Sequence, residues 1–145
     1  MPEIPAPAPA TAGPNADLKG KKVMIVEDDT LLHNLLSMRL AELRSEGIEV
    51  FPTFNGAQAL KVASEQHPDL VLLDIMLPEM TGFEFLEKMR QDPALKDTPV
   101  VILSNLSGDQ DKDKAKALGV REFFVKADFS LDDISSKIVG MLRGS

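Results

Sequence analysis

The sequence VMIVEDD at residues 23–29 and the sequence LVLLD at residues 70–74 decide the fold class. Each begins with consecutive apolar residues and then changes abruptly to carboxylates. A third apolar run, VVILSN at residues 100–105, changes to polar residues in the same way. Short runs that are apolar throughout are typical of strands covered on both faces, as in a parallel sheet.

Helical patterns alternate with these runs from Lys21 onward. The first helix carries leucines at spacings of three and four residues, which is the periodicity of one helix face. Two mixed runs, at residues 48–54 and 123–125, bring the predicted strands to five. Five strand–helix units predict a parallel sheet with helices on both faces. The leucines are Leu31, Leu32, Leu35, Leu36, Leu40 and Leu43, and the later helices are predicted over residues 57–66, 83–91, 110–118 and 131–142.

The composition of the strands also predicts their order. Pro52 has no backbone N–H to donate, so the second strand belongs at an edge of the sheet. The fifth strand begins with Arg121 and Glu122 and suits the other edge. The order 2-1-3-4-5 meets both conditions, whereas 3-2-1-4-5 would bury Pro52 and put the apolar third strand at an edge. Ligands are then expected between the carboxyl ends of the first and third strands.

The composition narrows the classes of function. The chain has 145 residues, with 23 acidic and 16 basic side chains and a net charge of −7, which argues against direct binding of nucleic acid. Cysteine is absent, which excludes disulfides, thiolate catalysis and cysteine-ligated zinc. The abundant carboxylates favour a hard cation such as magnesium.

One domain with a short arm is the predicted organisation. Residues 1–20 are rich in proline and alanine and carry no periodic apolar face, so we expect a disordered arm. Residues 21–143 hold the alternating elements, and residues 144–145 are a tail. No apolar run approaches the roughly 20 residues that span a membrane, and the start lacks the pattern of a secretion signal. We expect a cytoplasmic protein.

Polar side chains follow four of the predicted strands. Glu27 and Asp28 follow the first strand, Asp74 the third, Ser104 the fourth and Lys126 the fifth. In a parallel sheet these ends share one rim, so the five side chains should converge on one crevice. Neighbouring acids repel each other, which predicts magnesium on Asp28 and Asp74 with help from Glu27.

The same residues suit phosphoryl transfer. A carboxylate such as Asp74 can form an aspartyl phosphate. Magnesium and Lys126 would neutralise the incoming phosphoryl group, and Ser104 would donate a hydrogen bond to one of its oxygens. Each residue alone has a simpler role, because Asp28 or Asp29 could cap the next helix and a single lysine is commonly solvated. Convergence of the whole set favours the chemical hypothesis.

At these residues the chain resembles the receiver domain of bacterial two-component response regulators, of the stand-alone type. The resemblance covers about residues 21–142. It rests on VEDD at residues 26–29, LDIMLPEMTG at residues 73–82, ILS at residues 102–104 and FFVK at residues 123–126. The fold that it implies is a flavodoxin-like three-layer α/β sandwich, with a five-stranded parallel sheet of order 2-1-3-4-5 and five helices.

The resemblance also implies a role for each matching residue. Asp74 would accept a phosphoryl group from a histidine kinase or a histidine phosphotransfer protein, and Ser104 and Lys126 would contact that group. Phosphorylation would bias an equilibrium between two states of the surface. The implied magnesium ligands are Glu27, Asp28, Asp74 and the backbone carbonyl of Met76, and the implied switch residues are Ser104 and Phe123.

Several positions depart from the family pattern. Ala127 stands where a cis proline is common, and the cost of about 2.5–4 kcal/mol for a cis bond before any other residue predicts a trans bond. Asn105 replaces a smaller residue and would narrow access to Asp74. Neither Met76 nor Leu106 can orient an attacking water by hydrogen bonding, which predicts slow autodephosphorylation.

Two other functions stay open at this stage. A phosphorylation-independent interaction module on the same fold would fit the changes at Asn105 and Ala127. A magnesium phosphohydrolase would also form an aspartyl phosphate, but its haloacid dehalogenase type has a second acid at the position of Met76. No output segment follows the fifth helix, so we expect a protein that acts through contact with an unknown downstream protein or as a phosphorelay intermediate. We expect no direct binding of nucleic acid or of a membrane.

We predict no chemical role for either histidine or for the fourth helix. His33 lies off the leucine face of the first helix and is predicted to be exposed to solvent. His67 precedes Pro68 and is predicted to cap the end of the second helix. The fourth helix alternates acids with lysines, which predicts an exposed helix with few apolar anchors.

Overall fold

The computed structural model describes residues 19–42, 47–77, 79–105, 108–125 and 130–143, in which strands and helices alternate. The strands are β1 (Lys22–Val26), β2 (Glu49–Thr53), β3 (Leu70–Leu73), β4 (Val100–Ser104) and β5 (Glu122–Val125). The helices are α1 (Thr30–Ala41), α2 (Gly56–Gln66), α3 (Gly82–Gln91), α4 (Asp109–Ala117) and α5 (Leu131–Arg143). The ends of the later helices lie within about one residue of the predicted ones.

The five strands form one parallel sheet in the order β2-β1-β3-β4-β5. This confirms the predicted order. Pro52 lies opposite Ile25 in the register of β1 and β2, so the proline is on an edge strand. Its missing N–H is tolerated there because an edge strand is paired along one side only.

Helices cover both faces of the sheet, which creates two apolar layers. Met24 and Val26 of β1 pack with α2 and α3 on one face, and Val23 and Ile25 pack with α1 and α5 on the other. The central strands β3 and β4 are buried along their whole length. Burial of both faces explains why their sequences are apolar without alternation. The architecture is the predicted flavodoxin-like sandwich.

Local hydrogen bonds fix where several helices begin and end. The Asp29 carboxylate accepts a hydrogen bond from the Leu32 N–H and caps α1. Thr81 and Glu84 cap α3 reciprocally, each side chain accepting from the backbone N–H of the other residue. His67 ends α2 with φ 49°, a left-handed conformation. The predicted capping position of His67 is therefore confirmed.

The orientation of α1 on the sheet differs from the predicted one. Leu36 and Leu40 are buried, whereas Leu31 is 71% exposed and Leu43 is outside the described residues. His33 was predicted to be exposed, and this is wrong, because only 2% of its surface is accessible. Positions 33, 36 and 40 are three and four residues apart and form the face that packs. The leucines cover more of the α1 surface than the face that packs on the sheet. Their periodicity alone therefore did not identify which side of the helix is buried.

The fourth helix is exposed, as predicted. Ala115 is its buried residue, and its first turn carries Asp109 and Asp111. The Lys114 ammonium lies 4.8 Å from the centre of the Phe83 ring, a cation–π contact that joins α4 to α3. So small an apolar anchor within the helix indicates that α4 is held weakly on the sheet.

The predicted arm and tail fall largely outside the described residues, at 1–18 and 144–145. The last two residues of the arm, Lys19 and Gly20, are described. The Gly20 N–H donates to the Gly47 carbonyl at 2.9 Å, which joins this end of the arm to the start of β2. In the described part of the chain, no helix has both the length and the apolar character needed to cross a membrane.

Candidate functional site

The strands β1 and β3 bring their carboxyl ends together in the middle of the sheet. The Asp74 N–H donates to the Val26 carbonyl at 2.9 Å, so the residue after β3 sits beside the last residue of β1. On the other side, the Glu27 N–H donates to the Thr53 carbonyl at 3.2 Å. The strand order reverses between β1 and β3, which is where open parallel sheets bind ligands. Glu27 and Asp74 therefore stand in the predicted crevice.

Three carboxylates meet in this crevice. One oxygen from each of Glu27, Asp28 and Asp74 lies within 4.8 Å of the others. Glu27 and Asp74 are buried, with 2% and 4% of their surface exposed, whereas Asp28 is exposed. Like charges at such separations repel by roughly 3 kcal/mol per pair at an effective dielectric constant near 20. A hard cation would relieve this repulsion, and oxygen ligands are the kind that magnesium prefers.

Backbone N–H groups hold two of these carboxylates in place. The Asp29 N–H donates to Glu27 Oε2 at 3.0 Å, and the Met76 N–H donates to Asp74 Oδ1 at 3.1 Å. Each bond links a side chain to the backbone two residues later, so the loop after each strand orients the acid that precedes it. The arrangement is fixed by local chain geometry before any ligand arrives.

The two adjacent aspartates after β1 have different positions. Asp29 turns to α1 and accepts from the Leu32 N–H at 3.2 Å, whereas Asp28 joins the carboxylate cluster. The sequence left open which of them caps the helix. The structure assigns the cap to Asp29, so Asp28 is left for the crevice.

The connection between β3 and α3 folds back against the backbone of Asp74. The N–H groups of Leu77 and Gly82 both donate to the Ile75 carbonyl, at 3.1 and 2.8 Å. A Cβ added to Gly82 would stand 2.5 Å from the Asp74 carbonyl oxygen and 2.6 Å from Ile75 Cα. No side chain fits there, so Gly82 sets the path of the chain around Asp74.

The sequence analysis did not predict the role of Gly82, which it noted only as the last residue of a segment that matches the family. The signal available in the sequence was a glycine directly after Thr81, the N-cap residue of α3. Met76 lies in the same connection and is 57% exposed, so its side chain faces solvent at the mouth of the crevice. Pro78 lies outside the described residues.

Ser104 and Phe123 lie on neighbouring strands beside the cluster. Ser104 ends β4, is fully buried and is level with Val125 of β5. Phe123 is level with Ile102 and packs partly buried against the layer formed with α2 and α3. Lys126 directly follows Val125 in the sequence, but it is outside the described residues.

The positions that depart from the family pattern are only partly described. Asn105 is exposed, next to the buried Ser104. Leu106 and Ala127 lie outside the described residues, and the predicted trans bond before Ala127 stays a prediction.

Five large apolar side chains are exposed in the described part of the chain, and the sequence analysis did not predict their exposure. Phe54 follows β2 and is 43% exposed, and Met76 follows β3. The others lie along one face of α1, at spacings of four and three residues. They are Leu31, Leu35 and Met38. Large apolar side chains left exposed to solvent are common at interaction sites.

Comparison with known proteins gives consistent matches. A family model described as the response regulator receiver domain matches residues 23–139. The polar-differentiation response regulator DivK of Brucella ovis is 35% identical over 108 residues, which cover 73% of this chain and 84% of that protein. The probable transcriptional regulatory protein TcrX of Mycobacterium tuberculosis is 32% identical over 129 residues, which cover 88% of this chain and 52% of that protein. The chain spans about half the length of several such regulators.

Solved structures agree with these matches. The chemotaxis protein CheY4 of Vibrio cholerae superposes with a TM-score of 0.74 and 28% identity, over 83% of this chain and 98% of that one. The receiver domain of the Francisella response regulator 1452 superposes with a TM-score of 0.75 and 26% identity, over 86% of this chain and 98% of that one.

Proposed function

Because the chain belongs to the response regulator receiver family, we propose that it takes up a phosphoryl group on Asp74 in a magnesium-dependent reaction. The observation that carries this assignment is the buried Asp74 carboxylate, held within 4.8 Å of the carboxylates of Glu27 and Asp28. Carboxylates packed this closely repel each other, and a bound cation would offset that repulsion.

The residues in the crevice fit a magnesium ion. All three cluster members offer carboxylate oxygen, and hard oxygen ligands with an open, solvent-facing side at Asp28 suit an ion that keeps several waters. We propose Glu27, Asp28, Asp74 and the backbone carbonyl of Met76 as its ligands. When bound, magnesium supplies positive charge that offsets the carboxylates and the phosphoryl oxygens.

The residues of the chain then have distinct tasks. A carboxylate oxygen of Asp74 attacks phosphorus, and the O–P bond forms as the P–N bond of a phosphohistidine donor breaks and leaves its electron pair on the imidazole. The Met76 N–H fixes the orientation of the Asp74 carboxylate through Oδ1. The Ser104 hydroxyl and the Lys126 ammonium are proposed to receive the phosphoryl oxygens. A movement of Ser104 with Phe123 would carry the signal to the surface.

A protein donor and a protein target suit the surface. The exposed apolar side chains of Phe54 and Met76 lie on the two connections that flank the carboxylates, next to the apolar face of α1. We propose a histidine kinase or a histidine phosphotransfer protein of the cytoplasm as the donor. The net charge of −7 disfavours nucleic acid as a direct partner, so the downstream partner is proposed to be a protein.

The proposed uptake can be tested with a small acyl phosphate donor. We expect intact mass spectrometry to show one added phosphoryl group in magnesium and none after chelation with EDTA. Borohydride converts an aspartyl phosphate to homoserine, so peptide sequencing of the reduced product should place the group at position 74. Turnover of many donors per chain would instead indicate a phosphohydrolase. No adduct from either the small donor or a phosphorylated histidine phosphotransfer protein would favour a phosphorylation-independent interaction module.

Slow loss of the phosphoryl group is a second expected property. The exposed Met76 thioether cannot orient water by hydrogen bonding, and Leu106 is equally apolar. We expect Met76→Asn combined with Leu106→Glu to shorten the lifetime of the phosphorylated protein by about tenfold or more, because polar groups orient an attacking water. The decay of the mass adduct after removal of the donor measures this. Met76→Leu is the matched control, and equal or slower decay in the double variant would contradict the account.

A further inference from the structure

His33 occupies a closed position between α1 and the end of β2. Only 2% of its surface is exposed, although the residue lies on a helix that is otherwise half open to solvent. Its ring stacks on the Phe54 ring, with centroids 4.2 Å apart and planes inclined by 15°. Phe54 directly follows β2, so the stack joins the first turns of α1 to the connection between β2 and α2.

The two ring nitrogens of His33 have few hydrogen-bond partners among the described residues. Nδ1 lies 3.4 Å from the Ser37 hydroxyl, a long contact, and Nε2 is buried with no hydrogen-bond partner among the described residues. A neutral imidazole has one donor and one acceptor nitrogen, whereas an imidazolium has two donors. Protonation would thus place a charge in a position that is closed to water.

The surroundings favour the neutral ring. Burial lowers the pKa of His33 below its ordinary value of 6.5, and the backbone of Thr53 opposes that shift. The carboxylates at the neighbouring ends of β1 and α1 are already hydrogen-bonded, Glu27 to the Asp29 N–H and Asp29 to the Leu32 N–H.

The described residues of the other packed elements place little charge near His33. The charged residue of β2, Glu49, is at the far end of that strand. The start of α2 carries the neutral Asn55 cap and Gln58, whose Oε1 accepts from the Phe54 N–H. On α5, Asp132 is paired with Arg39.

We propose that the stack of His33 on Phe54 is an acid-sensitive contact, closed when the imidazole is neutral and opened when it is protonated. Opening would release Phe54 from α1. The Thr53 carbonyl, one residue earlier, accepts the Glu27 N–H, so the released segment adjoins the carboxylate crevice. Acid would therefore loosen the β2 side of that crevice, whatever the phosphorylation state of the chain.

The sign of the pH dependence follows from the direction of the shift. A histidine with a lowered pKa in the folded state is neutral in the fold over a pH range in which the unfolded chain binds a proton. Its contribution to stability is complete above pH 6.5, the ordinary value, and is lost as the pH falls from there through the lower pKa of the folded state.

The chain has only two histidines, which makes a direct test possible. We expect the imidazole NMR signal that is absent in His33→Phe, followed from pH 7.5 to 5, to titrate with a pKa below the ordinary value of 6.5. The exposed His67 gives the second imidazole signal, and His67→Asn is the matched variant because asparagine accepts a left-handed conformation. Amide signals of Phe54 and Asn55 should shift together with the His33 titration.

Chemical unfolding at the same pH values is the second measurement. Wild type and His67→Asn should lose stability on acidification that His33→Phe does not lose. Phe54→Ala keeps the histidine and removes the stacked ring, so its His33 pKa should lie closer to the ordinary value of 6.5 than in wild type. This variant tests the proposal even if His33→Phe fails to fold. A wild-type His33 signal that titrates at or above pH 6.5, or Phe54 and Asn55 signals that do not move with it, would overturn the proposal.

Discussion

Asp74→Asn is expected to abolish phosphoryl uptake and, at the same time, to make the unmodified protein more stable. Asparagine has nearly the shape of aspartate and keeps the Oδ1 atom that accepts the Met76 N–H at 3.1 Å. An amide is not a nucleophile toward phosphorus under these conditions, so the adduct should be undetectable. Loss of one charge from the cluster with Glu27 and Asp28 removes part of its repulsion, and we expect a gain of roughly 1–3 kcal/mol in the free energy of unfolding.

The opposite directions of the two effects separate a lost acceptor from a damaged fold. Uptake is read from intact mass with a small acyl phosphate and magnesium, and stability from urea unfolding with and without magnesium. Magnesium should stabilise wild type more than Asp74→Asn, because the variant offers one carboxylate fewer. Asp97→Asn is the matched control, since that aspartate is exposed and precedes β4 at the other end of the sheet. A variant that still gains a phosphoryl group would show that the acceptor is a different residue.

The sequence was sufficient to predict the parts of the fold that depend on burial of whole strands. β3 and β4 are apolar throughout and are central, and the single proline at position 52 was enough to place β2 at an edge. Once the strand order is set, the residues after β1 and β3 must share one crevice. The meeting of Glu27, Asp28 and Asp74 could therefore be predicted without coordinates.

Contacts that depend on the exact rotation of a helix or the path of a loop could not be predicted. Leu31 and His33 are two residues apart and project about 200° apart around α1. The rotation of the helix therefore decides which of them faces the sheet, and both sides of the helix carry apolar residues. The approach of Gly82 to the Asp74 carbonyl depends on a loop whose course no periodicity encodes. The division of tasks between Asp28 and Asp29 has the same origin, because either side chain can cap α1.

Gly82→Ala is expected to lower stability and slow phosphoryl uptake together. The added Cβ would meet the Asp74 carbonyl oxygen at 2.5 Å and Ile75 Cα at 2.6 Å, and backbone atoms cannot move aside as a flexible side chain can. The Gly82 N–H bond to the Ile75 carbonyl must lengthen, and the segment that orients the Asp74 carboxylate must shift with it. We expect a loss of roughly 1–3 kcal/mol in the free energy of unfolding and uptake slower by about tenfold or more, because misplaced reacting groups are costly in rate.

Gly140→Ala gives the same chemical change where there is room for it. Gly140 lies in α5, and a Cβ there would have nothing within 4 Å, so alanine should raise stability by about 0.5–1 kcal/mol through helix propensity alone. Urea unfolding should therefore show a gain in stability for Gly140→Ala and a loss for Gly82→Ala. The rate of adduct formation from a small acyl phosphate should be unchanged in Gly140→Ala. If both alanine variants gain stability and take up phosphoryl groups at the wild-type rate, the close approach at Asp74 does not position the acceptor. If Gly82→Ala takes up the phosphoryl group slowly but is as stable as wild type, the fold accommodates the methyl group. The slower uptake would then come from a changed orientation of the Asp74 carboxylate.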